Sequence, residues 1–343
     1  MTILPGHRGA KAQAAPTRRE RNTPPPVPCS IPALFGPTAI GKTAVAIALA
    51  RRLRDRGEDP VAVSADALQV YAGLETLTGA ATHVERAALE HRLVGVVPVD
   101  RSFSVAEYAR MAHAEIDALL AAGRRPIVVG GTGLYLRAAL ADLDLRPPPG
   151  PGVRERRQAE LEVRGAPALH ADLAAVAPER ARTVDPHDRH RIVRELELLD
   201  VGDAEASGGS GWREGLDAAP AARTPSQLWT AATRHPTLLV GLTMEREALR
   251  TRIDARVEAL VAAGAGDEVR RAHAAGASPT ARKALGFAEL LAGDAEAMRR
   301  RTRQLAKRQE TWMRKLAGVH RIDVTGRDAD AVASEVDALL LGR

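Results

Sequence analysis

The residues with the clearest chemical potential form one run near the N-terminal end, Gly36-Pro37-Thr38-Ala39-Ile40-Gly41-Lys42-Thr43. This run follows a predicted strand and opens a predicted helix, which is the setting of a P-loop. Its glycines let backbone N–H groups curl around phosphate oxygens, Lys42 adds a positive charge, and the Thr43 hydroxyl can bind Mg²⁺. The sequence therefore predicts a diphosphate- or nucleotide-binding site that uses Mg²⁺ as its cofactor.

A second candidate is Asp66, which lies in the segment Ser64-Ala65-Asp66-Ala67-Leu68-Gln69-Val70-Tyr71 after another predicted strand. This position places a carboxylate at the C-terminal edge of a sheet, where open α/β folds bind ligands. Asp66 can act there as a base or as a metal-binding group. The alternative is that it only caps the turn or helix that follows.

A third candidate is the glycine turn Val128-Val129-Gly130-Gly131-Thr132-Gly133-Leu134-Tyr135. Thr132 can cap a helix here or contact a ligand. A tight strand-to-helix corner would explain the glycines equally well. At this stage nucleotide hydrolysis, phosphorylation of a small molecule and retention of a diphosphate leaving group all remain open.

Short apolar, β-branched runs separated by helical stretches predict the parallel strands that position these residues. The predicted strands are Ile31 to Phe35, Val61 to Val63, Leu93 to Val97, Pro126 to Val129, Leu238 to Leu242 and Ile322 to Val324. The fold class is therefore α/β, with a P-loop NTPase-like parallel sheet core, an inserted helical subdomain and a helical C-terminal region.

The chain is divided by composition into five parts. Residues 1–29 lack helical periodicity and predict a disordered tail. The core is expected in two parts, 30–145 and 236–330, the second with basic C-terminal helices, and 331–343 form a last helix or tail. Strand signals vanish over 146–235, which opens with Pro147 to Pro149 and contains a loop at Gly208 to Gly211, so this part predicts a helical insert.

Composition limits the class of protein. The chain has 343 residues with 45% hydrophobic content, enough for a sizeable core. No apolar run approaches the roughly 18 residues of a membrane span. The single Cys29 excludes an internal disulfide and a thiolate metal cluster, which fits a cytoplasmic protein. The net charge of +6 suits a polyanionic partner, although arginine-rich composition explains part of it.

The helical region near the C-terminus carries an apolar face with charged residues around it. The apolar residues are Met298, Leu305, Trp312 and Leu316. The basic residues are Arg300, Arg303, Lys307, Arg308 and Arg314. This pattern is typical of either a solvated helix or a helix that contacts RNA.

Taken together, the motifs resemble the tRNA dimethylallyltransferases. That family carries GPTxxGKT, SxDSxQVY, VGGTGLY, DRxxL and TRQxAKRQxTWxR patterns. The matching segments here are Gly36 to Thr43, Ser64 to Tyr71, Val129 to Tyr135, Glu245 to Leu249 and Thr302 to Arg314. A further likeness, to the tRNA-clamping insert of the family, covers Asp185 to Asp188 and Arg191 to Glu197.

The resemblance implies transfer of a dimethylallyl group from dimethylallyl diphosphate to the exocyclic amine of the adenosine 3′-adjacent to the anticodon in tRNA. It implies Asp66 as proton acceptor, with Arg246 and Thr132 as further catalytic residues. The implied tRNA contacts are Asp66, Ala67, Leu68, Gln69, Arg191, Arg194, Arg303, Gln304, Lys307 and Arg308. A cytoplasmic monomer is expected.

Four positions depart from the family pattern: Ala67, Ala80, Arg92 and Glu245. Ala80 replaces a lysine and so removes a charge near the donor. The changes at Ala67 and Ala80 leave a non-catalytic tRNA-binding descendant of the family as one alternative function. The other is a P-loop kinase of a small metabolite, in which Asp66 would activate a hydroxyl and Lys42 would hold the γ-phosphate.

Overall fold

The computed structural model describes residues 30–143, 145, 150, 152–206 and 227–342. The predicted tail over 1–29, the prolines Pro147 to Pro149 and the glycine loop Gly208 to Gly211 lie outside these residues. Within the described helices, none is long and apolar enough to cross a membrane.

Six parallel strands form one sheet in the order β3-β2-β4-β1-β5-β6. The strands are β1 (Ile31–Phe35), β2 (Pro60–Ser64), β3 (His91–Arg92), β4 (Arg125–Gly130), β5 (Thr237–Thr243) and β6 (His320–Asp323). The central strands are almost wholly buried, as expected of a parallel sheet that helices cover on both faces. The predicted α/β class is confirmed.

Alternation along β1 shows how the two layers are built. The helices are α1 (Lys42–Asp55), α2 (Glu75–Thr78), α3 (His83–Ala88), α4 (Val105–Ala121), α5 (Gly133–Leu140), α6 (Val153–Arg164), α7 (Ala166–Val176), α8 (Pro178–Ala181), α9 (Arg189–Ala206), α10 (Arg246–Ala262), α11 (Ala265–Ala274), α12 (Phe287–Leu291), α13 (Ala295–Lys315) and α14 (Ala329–Leu340). Ala33 and Phe35 of β1 face an apolar cluster that includes α4 and α5, whereas Leu34 faces a cluster that includes α1 and α14.

The strand register brings the three candidate segments to one edge of the sheet. Phe35 of β1 is aligned with Gly130 of β4, and Ser64 of β2 is aligned with Val129. Because the strands are parallel, the P-loop, the Asp66 segment and the glycine turn all leave the sheet at its C-terminal edge. Ligands of open α/β sheets bind at such an edge.

Helices α6 to α9 pack around an apolar cluster of their own. Its fully buried members include Leu169, Leu173 and Ile192. A buried carboxylate, Glu197, lies beside this cluster and accepts two hydrogen bonds from Arg154, at 2.7 and 2.9 Å. A buried charge requires such pairing.

The strand predicted from Leu93 to Val97 is wrong. The third strand is only His91–Arg92, because Leu93 and Gly95 both adopt left-handed backbone angles, with φ of 61° and 65°. Leu93, Val94 and Val97 are buried by packing instead, whereas Val96 is exposed, and Val97 forms a single parallel bridge with Tyr71. An apolar run of this length reports burial without determining hydrogen-bond pairing.

Candidate active site

A cavity of about 860 Å³ opens at the C-terminal edge of the sheet. Its walls come from the P-loop, the Asp66 segment, α2 and the residues that follow it, the glycine turn, α10 and α13. Nine of the residues predicted for the site line it: Thr38, Ala39, Gly41, Lys42, Thr43, Asp66, Leu68, Gln69 and Thr132. The structure thus brings the phosphate-binding loop and the candidate base into one space.

The P-loop connects β1 to the first turn of α1, which begins at Lys42. The first N–H groups of a helix lack partners within the helix and form a natural site for phosphate. Lys42 Nζ donates hydrogen bonds of 2.9 Å to the carbonyl oxygens of Gly36 and Pro37. The lysine is thereby held across the loop that it is expected to serve.

Lys42 is half-buried and lines the cavity. Burial lowers the pKa of Lys42 to about 8, against an opposing contribution from the negative charge of Asp66 and an additional lowering by Arg256. These three charges are therefore close enough to influence one another. An anionic ligand would stabilise the protonated lysine.

Asp66 both caps a turn and faces the cavity. Its Oδ1 accepts hydrogen bonds from the backbone N–H groups of Leu68, at 3.0 Å, and Gln69, at 3.4 Å. Among the described residues, Oδ2 has no hydrogen-bond partner. The carboxylate is thus oriented through one oxygen, which leaves the other to accept a proton.

Arg256 of α10 is a site residue that the sequence reasoning missed. It lines the cavity, and burial lowers the pKa of its half-buried guanidinium while the charge of Asp66 opposes that shift. Its Nη2 lies 3.4 Å from the Thr78 oxygen and 3.3 Å from the Gly79 oxygen. Gly79 has a φ of +57°, and a Cβ there would fall 1.8 Å from Arg256 Nη2, so a larger residue would strain the backbone and displace the guanidinium.

Gln309 of α13 joins the P-loop to the glycine turn. Its Oε1 accepts a hydrogen bond of 2.9 Å from Thr38 N–H, and its Nε2 donates one of 2.8 Å to the Gly131 oxygen. A Cβ on Gly131 would lie 2.5 Å from that Nε2, so the close approach requires glycine. The sequence signal that could have identified Gln309 is its polar side chain at a helical position that faces the core.

Thr132 and Gln69 also line the cavity. Thr132 is the N-cap residue of α5, yet its hydroxyl makes no capping hydrogen bond, so it can serve a ligand. Gln69 is held through its side chain, because its Oε1 accepts from Ser64 Oγ at 3.0 Å and its Nε2 lies 3.4 Å from the Gly79 oxygen. The strand residue Ser64 is supported in turn by Tyr108, whose hydroxyl donates to the Ser64 oxygen at 2.9 Å.

Arg246 is placed elsewhere. It is exposed at the first position of α10 and is not among the residues that line the cavity. At about 100° of rotation per residue, it lies roughly 80–120° around the helix from Arg252 and Arg256. Arg252 donates to the Ile40 oxygen of the P-loop at 3.3 Å. The catalytic role of Arg246 stays a prediction.

Helix α13 turns its basic residues outward. Gln304, Lys307 and Arg308 are exposed, whereas Arg303 is half-buried and forms a two-point ion pair with Asp254 of α10, at 3.1 and 2.5 Å. The predicted apolar face is confirmed only in part, since Met298 is buried whereas Leu305 and Trp312 are half-buried. The buried positions of the helix are Met298, Thr302, Ala306, Gln309 and Met313.

The two arginines predicted to contact tRNA in the insert have different surroundings. Arg191 is exposed and lies 3.6 Å from Asp188. Arg194 is half-buried and donates to buried Glu197 at 3.1 Å. Arg191 is therefore available at the surface, whereas Arg194 is engaged with Glu197, and both tRNA contacts stay predictions.

Three departures from the family pattern have visible surroundings. Glu245 caps α10 by accepting from Ala248 N–H at 2.8 Å, so the longer acid keeps the capping function. Arg92 pairs with Glu90 at 2.5 Å. Ala80 is buried at the cavity wall directly after Gly79, where the Arg256 guanidinium lies. The cation of Arg256 therefore lies close to the position where the family pattern has a lysine.

The family model described as IPP transferase matches residues 69–316, from the end of the Asp66 segment through α13. The tRNA dimethylallyltransferase of Thermobifida fusca is 42% identical over 299 residues, covering 84% of this chain and 88% of that protein. The chain belongs to the IPP transferase family. The resemblance inferred from the motifs is confirmed.

Other family members agree over most of their length. The tRNA dimethylallyltransferase of Streptomyces coelicolor is 38% identical over 308 residues, covering 86% of this chain and 90% of that protein. The solved tRNA isopentenylpyrophosphate transferase of Bacillus halodurans has 29% identity and a TM-score of 0.62, covering 92% of this chain and 96% of its own. A eukaryotic dimethylallyltransferase acting on tRNA, at 20% identity and a TM-score of 0.66 over 92% of this chain and 80% of its own, supports the fold.

Proposed function

We propose that the protein transfers a dimethylallyl group from dimethylallyl diphosphate to the exocyclic amine of the adenosine 3′-adjacent to the anticodon in tRNA, releasing diphosphate. The observation that supports this function is the meeting of Asp66, Lys42 and Arg256 at one cavity beside a P-loop. A carboxylate near two cations suits a reaction in which a proton leaves one reactant and an anion leaves the other. The predicted monomeric state and cytoplasmic location stay predictions.

The donor side of the cavity stabilises the leaving group. The P-loop N–H groups and Lys42 would hold the diphosphate, with Arg256 beside it. As the bond between C1 and the bridging oxygen breaks, negative charge grows on that oxygen. Fixed cations near it stabilise the transition state more than the bound donor, which lowers the barrier.

Magnesium fits the donor side through Thr43. Its hydroxyl lines the cavity, and among the described residues no group of three His, Cys, Asp or Glu side chains could hold a metal alone. A magnesium ion would therefore take most of its ligands from diphosphate oxygens and water, which is common for Mg²⁺ with phosphate substrates. When bound, it would neutralise part of the diphosphate charge.

The acceptor side needs a base and an exposed adenine. The target base must leave its stack to enter the cavity. The amine nitrogen then attacks C1, the N–C bond forms as the C–O bond breaks, and the amine proton passes to Asp66. Gln69, held by Ser64, would bind the adenine edge.

Incubation of the protein with labelled dimethylallyl diphosphate, Mg²⁺ and unmodified tRNA, followed by nucleoside mass spectrometry, tests the proposal. We expect one isopentenyl unit on the adenosine next to the anticodon. We expect Asp66→Asn to lower the transfer rate by about 10²–10⁴-fold with little change in tRNA affinity. Exposed Asp330→Asn is the matched control.

The other outcomes separate the alternatives. Transfer by Asp66→Asn near the wild-type rate would remove Asp66 from the mechanism. Binding of tRNA without transfer by the wild-type protein would indicate the non-catalytic descendant, and consumption of ATP with a small acceptor would indicate the kinase.

A further inference from the structure

Glu268 is a buried carboxylate of α11 that lies outside the cavity lining. Its Oε1 accepts a hydrogen bond of 2.9 Å from Thr76 N–H, and its Oε2 accepts one of 2.6 Å from Leu77 N–H. Both donors belong to α2, a helix of one turn. The whole carboxylate of Glu268 is therefore used to hold the backbone of a helix almost 200 residues earlier in the chain.

Helix α2 needs this support. It has only four residues, and a single turn is marginal by itself because nucleation is costly. Its N-cap residue is Leu74, whose apolar side chain cannot accept a hydrogen bond. The N–H groups of Thr76 and Leu77 are among those that an N-cap side chain would normally satisfy. Glu268 supplies that cap from another helix, with a charge that the N-terminus of α2 favours.

All four residues of α2 line the cavity, and its C-terminal end also meets Arg256. Its last residue, Thr78, and the following Gly79 present the carbonyl oxygens beside which Arg256 Nη2 lies, at 3.4 and 3.3 Å. The Gly79 oxygen also lies 3.4 Å from Gln69 Nε2. These contacts are long, so small shifts of the two carbonyls change whether they hold Arg256 and Gln69 in place.

We propose that Glu268 is a positioning residue for the transfer reaction. Its carboxylate anchors the start of α2, and α2 sets the carbonyls that place Arg256 toward the diphosphate. This inference rests on the proposed function for its catalytic meaning. The anchoring itself can be read from diphosphate binding without turnover.

The test is a double-mutant cycle of Glu268→Gln and Arg256→Gln, measured both as kcat/KM for the donor and as affinity for inorganic diphosphate with Mg²⁺ by calorimetry. Glutamine keeps one acceptor but turns an NH₂ group toward a backbone N–H. Since displacement of a catalytic group by about 1 Å can cost 10²-fold, we expect Glu268→Gln to lower kcat/KM about 10- to 100-fold. We expect weaker diphosphate binding with tRNA affinity unchanged.

The control is Asp267→Asn, the exposed neighbour on the same helix, which removes the same charge. Thermal unfolding shows whether each variant is folded and how stable it is. Active-site titration gives the fraction of each variant that is competent to bind. If Glu268 acts through Arg256, its substitution costs less than about threefold in the Arg256→Gln background, because the group that it positions is already absent. A general structural role would instead lower activity by the same factor in both backgrounds.

Equal losses in both backgrounds would overturn the proposal, as would unchanged diphosphate affinity in Glu268→Gln. If the wild-type protein did not transfer the prenyl group at all, the proposed function would fail. The double-mutant cycle measured as diphosphate affinity would still decide the positioning role. A loss of affinity that depends on Arg256 would support it, and no loss of affinity would refute it.

Discussion

The bridge made by Gln309 gives the most direct test of how the site is assembled. Gln309→Met keeps a side chain of similar size but removes the hydrogen bonds to Thr38 and Gly131. The Gly131 oxygen sits in a buried contact, and leaving it unsatisfied costs about 1–3 kcal/mol. The Thr38 N–H lies in a partly buried contact, where loss of a neutral hydrogen bond costs about 1 kcal/mol.

The expected loss in the free energy of unfolding is therefore about 2–4 kcal/mol, a large share of the roughly 5–15 kcal/mol of a typical domain. Urea unfolding followed by circular dichroism measures it. Gln304→Met is the stability control, because Gln304 is exposed on the same helix, and it should stay within about 0.5 kcal/mol of wild type.

The same substitution should act on the donor site. Thr38 belongs to the P-loop, so loss of its tether should raise the KM for dimethylallyl diphosphate more than the Kd for tRNA. A Gln309→Met protein with stability within about 0.5 kcal/mol of wild type and an unchanged donor KM would refute the reasoning. The conformation of the P-loop would then not depend on Gln309.

In Gly79→Ala the new Cβ would fall 1.8 Å from Arg256 Nη2 and displace that cation. Since a displacement of about an ångström can cost at least tenfold, the donor KM should rise about tenfold in steady-state kinetics. The pKa of about 8 for Lys42 predicts that donor kcat/KM falls above about pH 8 as its charge is lost. That pKa lies below the ordinary 10.5, so between the two values the unfolded chain binds more protons than the folded protein. The contribution of Lys42 to stability should therefore rise with pH in that range. Lys42→Met should flatten the pH profiles of both kcat/KM and stability. Arg194→Ala should destabilise the protein by about 1–3 kcal/mol because buried Glu197 loses a partner; unchanged stability with weaker tRNA binding would instead support an RNA contact.

Local patterns in the sequence were enough to predict much of the candidate active site at the C-terminal edge of the sheet. The P-loop is a contiguous run, and Asp66 directly follows a strand whose apolar residues show its burial. Parallel strands place their C-terminal ends together, so the strand assignments already predicted that these segments meet. The failure at Leu93 to Val97 has the same local origin, because burial alone does not show whether a run pairs as a strand.

Tertiary structure decided which distant side chains join them. Gln309 is 271 residues from its partner Thr38, and Glu268 is 191 residues from Leu77. The choice of Arg256 over Arg246 for the cavity depends on the rotation of α10 about its axis. Packing of its buried residues, Leu249, Ile253 and Val257, sets that rotation. Sequence spacing defines which residues share a helical face, but only contacts with the rest of the core determine where that face points.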